Sequence, residues 1–98
     1  MGKPEGIIEN YLKTQAEKQG FLCLKFTSPG TSGVPDRVLI GYGHTIFVET
    51  KRTGGTLRKL QEKITEKMVN HGATVYVIDT KQDVDRLLQL LQQSNKML

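Results

Sequence analysis

Four short apolar runs separated by turn-forming breaks most constrain this chain. They are Phe21-Leu22-Cys23-Leu24-Lys25-Phe26-Thr27, Arg37-Val38-Leu39-Ile40, Thr45-Ile46-Phe47-Val48-Glu49-Thr50-Lys51 and Thr74-Val75-Tyr76-Val77-Ile78-Asp79. Each is too short for a helix and rich in β-prone residues, so each reads as a strand. Ser28-Pro29-Gly30-Thr31-Ser32-Gly33 is a loop, and Gly41-Tyr42-Gly43 is tight enough to join the second and third runs as a hairpin. Helical periodicity fills the rest. Ile8, Tyr11, Leu12 and Gln15 mark a first helix from Glu5 to Gln19, with Pro4 at its start and Gly20 to stop it. After Thr53-Gly54-Gly55, Thr56 is placed to cap a second helix that buries Leu57, Leu60, Ile64 and Met68 and ends at Gly72. Val84, Leu87, Leu88 and Leu91 mark a third, fraying into residues 94–98. The order α-β-β-β-α-β-α predicts an α/β fold, a mixed sheet flanked by helices.

Ninety-eight residues suit a single domain, 1–98. Fourteen Lys and Arg against ten Asp and Glu leave +4, and all of it lies between residues 51 and 67. Lys51, Arg52, Arg58, Lys59, Lys63 and Lys67 face only Glu62 and Glu66 there, while the other 81 residues balance. Such a surplus suits a polyanion, and Arg58, Lys59, Lys63 and Lys67 on the second helix are candidates for phosphate contacts. A solvated helix face, with Lys63 paired to Glu62 or Glu66, is the alternative. Three Phe, three Tyr and no Trp supply little for base stacking, so backbone and shape recognition of a duplex is the better match.

One cysteine, Cys23, excludes a disulfide framework and reads as a buried strand thiol. His44 and His71 lie far apart with no ligand partner, and Thr53-Gly54-Gly55-Thr56 lacks the spacing of a P-loop. No apolar run approaches a membrane span and no leader is visible, so the expectation is a soluble intracellular protein without a membrane partner.

The chemistry sits at the strand ends. Alternation puts Glu49 and Lys51 on one face, roughly 6–7 Å apart, with Thr50 on the other. Asp36 opens the preceding strand directly after Pro35, and counted from the hairpin turn it is nearly level with Glu49. Two carboxylates with open positions suit Mg²⁺, which takes one or two carboxylates together with water and phosphate oxygens. Such an ion can polarise a phosphodiester and activate water, while a neighbouring lysine stabilises charge or handles a proton. Taken singly, Asp36 could cap a turn, and Glu49 with Lys51 could be an ordinary ion pair.

Pro35-Asp36, twelve residues, then Glu49-Thr50-Lys51 resembles the PD-(D/E)xK signature of restriction-endonuclease-like nucleases. Gly33-Val34-Pro35-Asp36-Arg37, Phe47-Val48-Glu49-Thr50-Lys51 and Leu60-Gln61 more narrowly resemble the VRR-NUC family, including its small stand-alone members from phages and bacteria. The resemblance runs from Glu5 to about Leu88. It implies a restriction-endonuclease-like α-β-β-β-α-β-α core and a Mg²⁺- or Mn²⁺-dependent DNA endonuclease. In the stand-alone members it also implies a homodimer acting on four-way (Holliday) junctions. By position, Asp36 and Glu49 are the implied metal ligands with the Thr50 carbonyl, Lys51 is the catalytic lysine, and Gln61 lies near the active site. Thr50 replaces an apolar residue common in the family, and its side chain is expected to point away from the site. The family's glutamate from the first helix is matched by Glu5 or Glu9, with Glu5 nearer the family's position and Glu9 deeper in the helix.

The implied setting is the cytoplasm of a bacterial cell, with a phage as a further source. The rival from another class is a non-catalytic nucleic-acid-binding module of the same fold, which would be free to lose Asp36, Glu49 or Lys51. A glycosidase with paired carboxylates is disfavoured by the basic cluster and by Lys51. Two sites for a junction require two chains of this size. The Leu87, Leu88, Leu91 stripe and the first helix are the candidate interfaces.

Overall fold

The computed structural model describes residues 4–94, with side chains from residue 6 onward. The elements are α1 (Pro4–Lys18), β1 (Leu22–Lys25), β2 (Arg37–Gly41), β3 (His44–Thr50), α2 (Lys59–Asn70), β4 (Val75–Ile78) and α3 (Lys81–Gln93). The strands form one sheet in the order β1-β2-β3-β4, antiparallel except for the parallel β3–β4 pair. This is the expected mixed sheet, since a helix between β3 and β4 permits the parallel return.

The hairpin turn is Tyr42-Gly43, with Gly41 opposite His44. Both turn residues have positive φ, the form whose twist matches the flanking strands. Tyr42 is held there by its ring, 4.9 Å from that of Phe21, and by its hydroxyl, which donates to the Gln19 carbonyl.

Alternation then sorts the sheet's two faces. Cys23, Leu39 and Ile46 share one rung and one face, continued by Val48 and Ile78. Ile8, Leu12 and Ala16 of α1 and Val84, Leu87, Leu88 and Leu91 of α3 close over them as a single core. Thr80 caps α3, its Oγ1 accepting from Asp83 N at 3.0 Å. The leucine stripe considered above as an interface is thus buried within the chain.

The other face is more open. Leu22, Leu24 and Val77 there are roughly half exposed, and Phe26 packs on Phe47 at 5.1 Å. α2 lies beside this face without burying a single residue. The helix starts at Lys59, later than expected. Arg58 is its extended N-cap residue and Thr56 does not cap it. Leu57, Ile64 and Met68 are half-buried and Leu60 is 51% exposed, so the expected buried stripe is only a partial contact. One close approach anchors the helix: a Cβ on Gly33, whose φ is +89°, would lie 3.1 Å from the Leu60 carbonyl.

Candidate active site at the end of the motif strand

β2 begins at Arg37, opposite Val48, while β3 runs two residues further, to Thr50, and the site occupies that step. Arg37 pairs with Val48, so the next rung sets Asp36 level with Glu49, as counting from the turn predicts. Pro35, fully buried, holds the approach to Asp36. With no backbone left on β2 to serve Thr50, Asp36 Oδ2 takes its place. It accepts from Thr50 N at 3.1 Å and from Thr50 Oγ1 at 2.9 Å. The side chain of Thr50 therefore does not point away from the site. At the strand end the Asp36 carboxylate lies near the plane of the sheet, within reach of a hydroxyl that alternation assigns to the opposite face. The N–H and C=O of one strand residue leave on the same edge, so the Thr50 carbonyl also faces the Asp36 side.

Glu49 and Lys51 share a face, as alternation requires. Lys51 Nζ lies 3.1 Å from Glu49 Oε2. Gln61, from the first turn of α2, joins both: its Nε2 donates to Glu49 Oε2 at 2.9 Å and its Oε1 accepts from Lys51 Nζ at 2.8 Å. The same Oε1 accepts from Arg58 N at 3.0 Å, which is why the helix begins there. One glutamine thus caps α2 and fixes the ion pair.

Glu49 is 3% exposed, and its Oε1 is the one buried side-chain polar atom without a hydrogen-bond partner among the described residues. Burial, reinforced by the neighbouring Asp36 carboxylate, pushes the Glu49 carboxyl above the ordinary range, against the pull of Lys51. An unpartnered buried acceptor is costly unless something completes it.

Glu9, Asp36, Glu49, Thr50, Lys51, Arg58 and Gln61 line one cavity of about 200 Å³. Glu9 is already engaged. Its Oε2 accepts from Lys25 Nζ at 2.6 Å and Arg37 Nε at 2.8 Å. Burial alone would raise its pKa, but the bonds and charges of Lys25 and Arg37 prevail and hold it below the usual range. Glu5 lies outside the residues whose side chains are described. No three His, Cys, Asp or Glu side chains among the described residues gather closely enough to hold a metal by themselves. The donors gathered at the cavity are the carboxylates of Asp36, Glu49 and Glu9, that of Glu49 with an orphaned oxygen, and a backbone carbonyl. All are hard oxygens, as Mg²⁺ or Mn²⁺ prefers.

Arg52, Arg58, Lys59, Lys63 and Lys67 are all exposed, and of them only Arg58 lines the cavity. Lys59, Lys63 and Lys67 recur every four residues on one side of α2, and none is in an ion pair among the described residues. His71 and His44 sit against carbonyls, His71 Nδ1 2.7 Å from Lys67 O and His44 Nε2 2.7 Å from Ser94 O. Sequence reasoning assigned no role to Arg37 or Lys25. The available signal was that Arg37 alternates with Leu39 onto the core face, where a guanidinium requires an acid.

A scan of protein-family models gives no match. The protein named "Putative nuclease p44" of Acyrthosiphon pisum secondary endosymbiont phage 1 is 38% identical over 85 residues, covering 86% of this chain and 90% of that protein. A solved structure described as a VRR_NUC domain superposes with a TM-score of 0.80 at 30% identity, over 90% of this chain and 97% of its own. This chain belongs to the VRR-NUC family of nucleases. The fold is thus the VRR-NUC fold, as the resemblance implied. No helix of the described residues is long and apolar enough to cross a membrane.

Proposed function

We propose that this VRR-NUC protein is a divalent-metal-dependent DNA endonuclease, with Asp36, Glu49, the Thr50 carbonyl and a first-helix glutamate, Glu5 or Glu9, as ligands and Lys51 as catalytic lysine. The observation that carries this reading is the orphaned, buried Oε1 of Glu49 in a cavity shared with Asp36 and Lys51. A cation held at the cavity would supply the partner that this oxygen lacks. Mg²⁺ or Mn²⁺ held by these residues would supply Lewis-acid polarisation of the phosphodiester.

The chain's own groups do the rest. Gln61 and Glu49 hold the Lys51 ammonium at the cavity, where it stabilises the extra negative charge on phosphorus or steers the attacking water. Water adds to phosphorus, the bond to one sugar oxygen breaks, and that oxygen leaves with a proton. Arg58 at the cavity, with Arg52, Lys59, Lys63 and Lys67 outside it, holds the flanking phosphates.

The substrate in this reading is branched duplex DNA, with the four-way junction cut by a homodimer inside a bacterial cell. One chain supplies one such cavity, and symmetric resolution needs two. The test is incubation with labelled four-way junction, flap and linear duplex in Mg²⁺, Mn²⁺ or EDTA. Paired symmetric nicks in the junction, abolished by EDTA and by Lys51→Ala, are expected. Unchanged cleavage by Asp36→Ala would overturn the site assignment, and binding without cleavage under every metal would favour the non-catalytic module.

A further inference from the structure

The carboxylates at the two strand ends are each gripped by one oxygen. Glu49 Oε2 takes Gln61 Nε2 and Lys51 Nζ, while its Oε1 is orphaned. Asp36 Oδ2 takes Thr50 N and Thr50 Oγ1, and neither bond uses Oδ1. The two grips come from opposite faces of β3. Lys51 lies on the face of Glu49, whereas Thr50 lies on the core face with Val48 and, across the ladder, Ile78. At 4% exposure among such neighbours a hydroxyl requires a polar partner, and Asp36 is the one it reaches. The Asp36 backbone is fixed without it. Buried Pro35 precedes Asp36, and the Asp36 carbonyl accepts from Phe26 N at 2.8 Å. What remains open is the torsion of the carboxylate itself, which is broad for an aspartate. Held by Thr50 N alone it could swing about a single bond.

We propose that the Thr50 side chain is a positioning group for the cation site: its hydroxyl locks Asp36 Oδ2 and so sets Oδ1 towards the cavity before a metal arrives. This rests on the metal-dependent reading above. A ligand already in place loses less freedom when the ion binds, so affinity rises without any new contact to the metal. A hydrogen-bond donor also draws charge from the carboxylate that it holds, which by itself weakens a ligand. Groups behind metal ligands nonetheless cost about 10–100-fold in affinity when removed, so orientation outweighs the lost charge. Thr50 then serves the site twice, through its carbonyl and through its hydroxyl.

Titration calorimetry with Mn²⁺, without DNA, tests this on wild type, Thr50→Val and Thr50→Ser, with Tm in EDTA reporting folding. Valine keeps the branched Cβ and the backbone N–H and removes only the side-chain donor. Thr50→Val should bind Mn²⁺ about tenfold more weakly, the lower end of what such groups contribute. Thr50→Ser keeps the hydroxyl and should recover most of that loss, which a purely structural role for the side chain would not produce. Thr50→Ala carries the same expected loss and serves if Thr50→Val does not fold. Unchanged Mn²⁺ affinity in the folded valine or alanine variant, or equal weakening in the serine variant, would overturn the role of the hydroxyl. Those results would leave the metal site standing, since Asp36→Ala would still abolish binding. Absence of Mn²⁺ binding by wild type would instead overturn the metal-dependent reading and this inference with it.

Discussion

The two helices that follow the motif strand carry similar apolar spacing and have opposite fates. α3 seats Val84, Leu87, Leu88 and Leu91 in the core, whereas α2 buries nothing completely. α3 thus contributes to holding the sheet together. α2 brings one glutamine into the cavity and a row of lysines to its side, and its packing is light. The fold and the proposed chemistry therefore rest on different sides of one sheet, joined through Glu49, Lys51 and Gln61.

The comparison breaks first, and by the largest effect, if activity and stability cannot be separated. Lys51→Ala should lower the nicking rate by about 10²–10⁴-fold while leaving the core intact, as measured by single-turnover cleavage beside a thermal melt. The converse is Leu88→Ala on α3. It should cost about 2–5 kcal/mol in denaturant unfolding, and each molecule that remains folded should still cut.

A smaller effect sharpens the contrast within the site. Folded Glu49 holds its proton more tightly than the unfolded chain does, so its contribution to stability is fully present below the ordinary carboxylate pKa and is lost as pH rises through the raised one. Glu49→Gln should therefore raise Tm in EDTA at neutral pH, by about 4–8 °C for each kcal/mol that ionisation costs. The difference should close in acid. Glu9 has the opposite sign: its lowered pKa stabilises the fold above the ordinary range, and that is lost as pH falls through the lowered value. Equal pH profiles for Glu49→Gln and Glu9→Gln would remove the distinction between a strained carboxylate and a satisfied one.

The smallest effect concerns α2 alone. Removing Lys59 and Lys63 should reduce the salt slope of DNA binding by about 1 for each lysine that meets a phosphate, with no change in Tm. A fall in Tm would mean that the exposed row contributes to folding after all.

Much of this was legible in the chain. The order of elements along the chain follows from short β-prone runs and their breaks. The meeting of Asp36 with Glu49 follows from counting out of a two-residue turn, because antiparallel register is fixed once the turn is known. Alternation then puts Lys51 beside Glu49. What it could not give was the end of the ladder, where β2 stops and the Asp36 carboxylate replaces backbone and meets the Thr50 hydroxyl. The half-burial of α2 was hidden for a related reason: an apolar stripe shows which side of a helix faces inward but not how complete the opposing layer is. The Glu9–Arg37 contact joins residues 28 apart through one long side chain, which periodicity does not resolve.

The central claim is that a divalent ion at Asp36 and Glu49 lets Lys51 and its neighbours break the DNA backbone. Its most direct test is nicking of the four-way junction by wild type and Asp36→Asn across a Mg²⁺ titration, with Lys51→Ala and EDTA as controls. The account predicts metal-dependent nicking by wild type and its loss in both variants, each folded by circular dichroism. Cleavage that persists in EDTA, or in Asp36→Asn at wild-type rate, would contradict it.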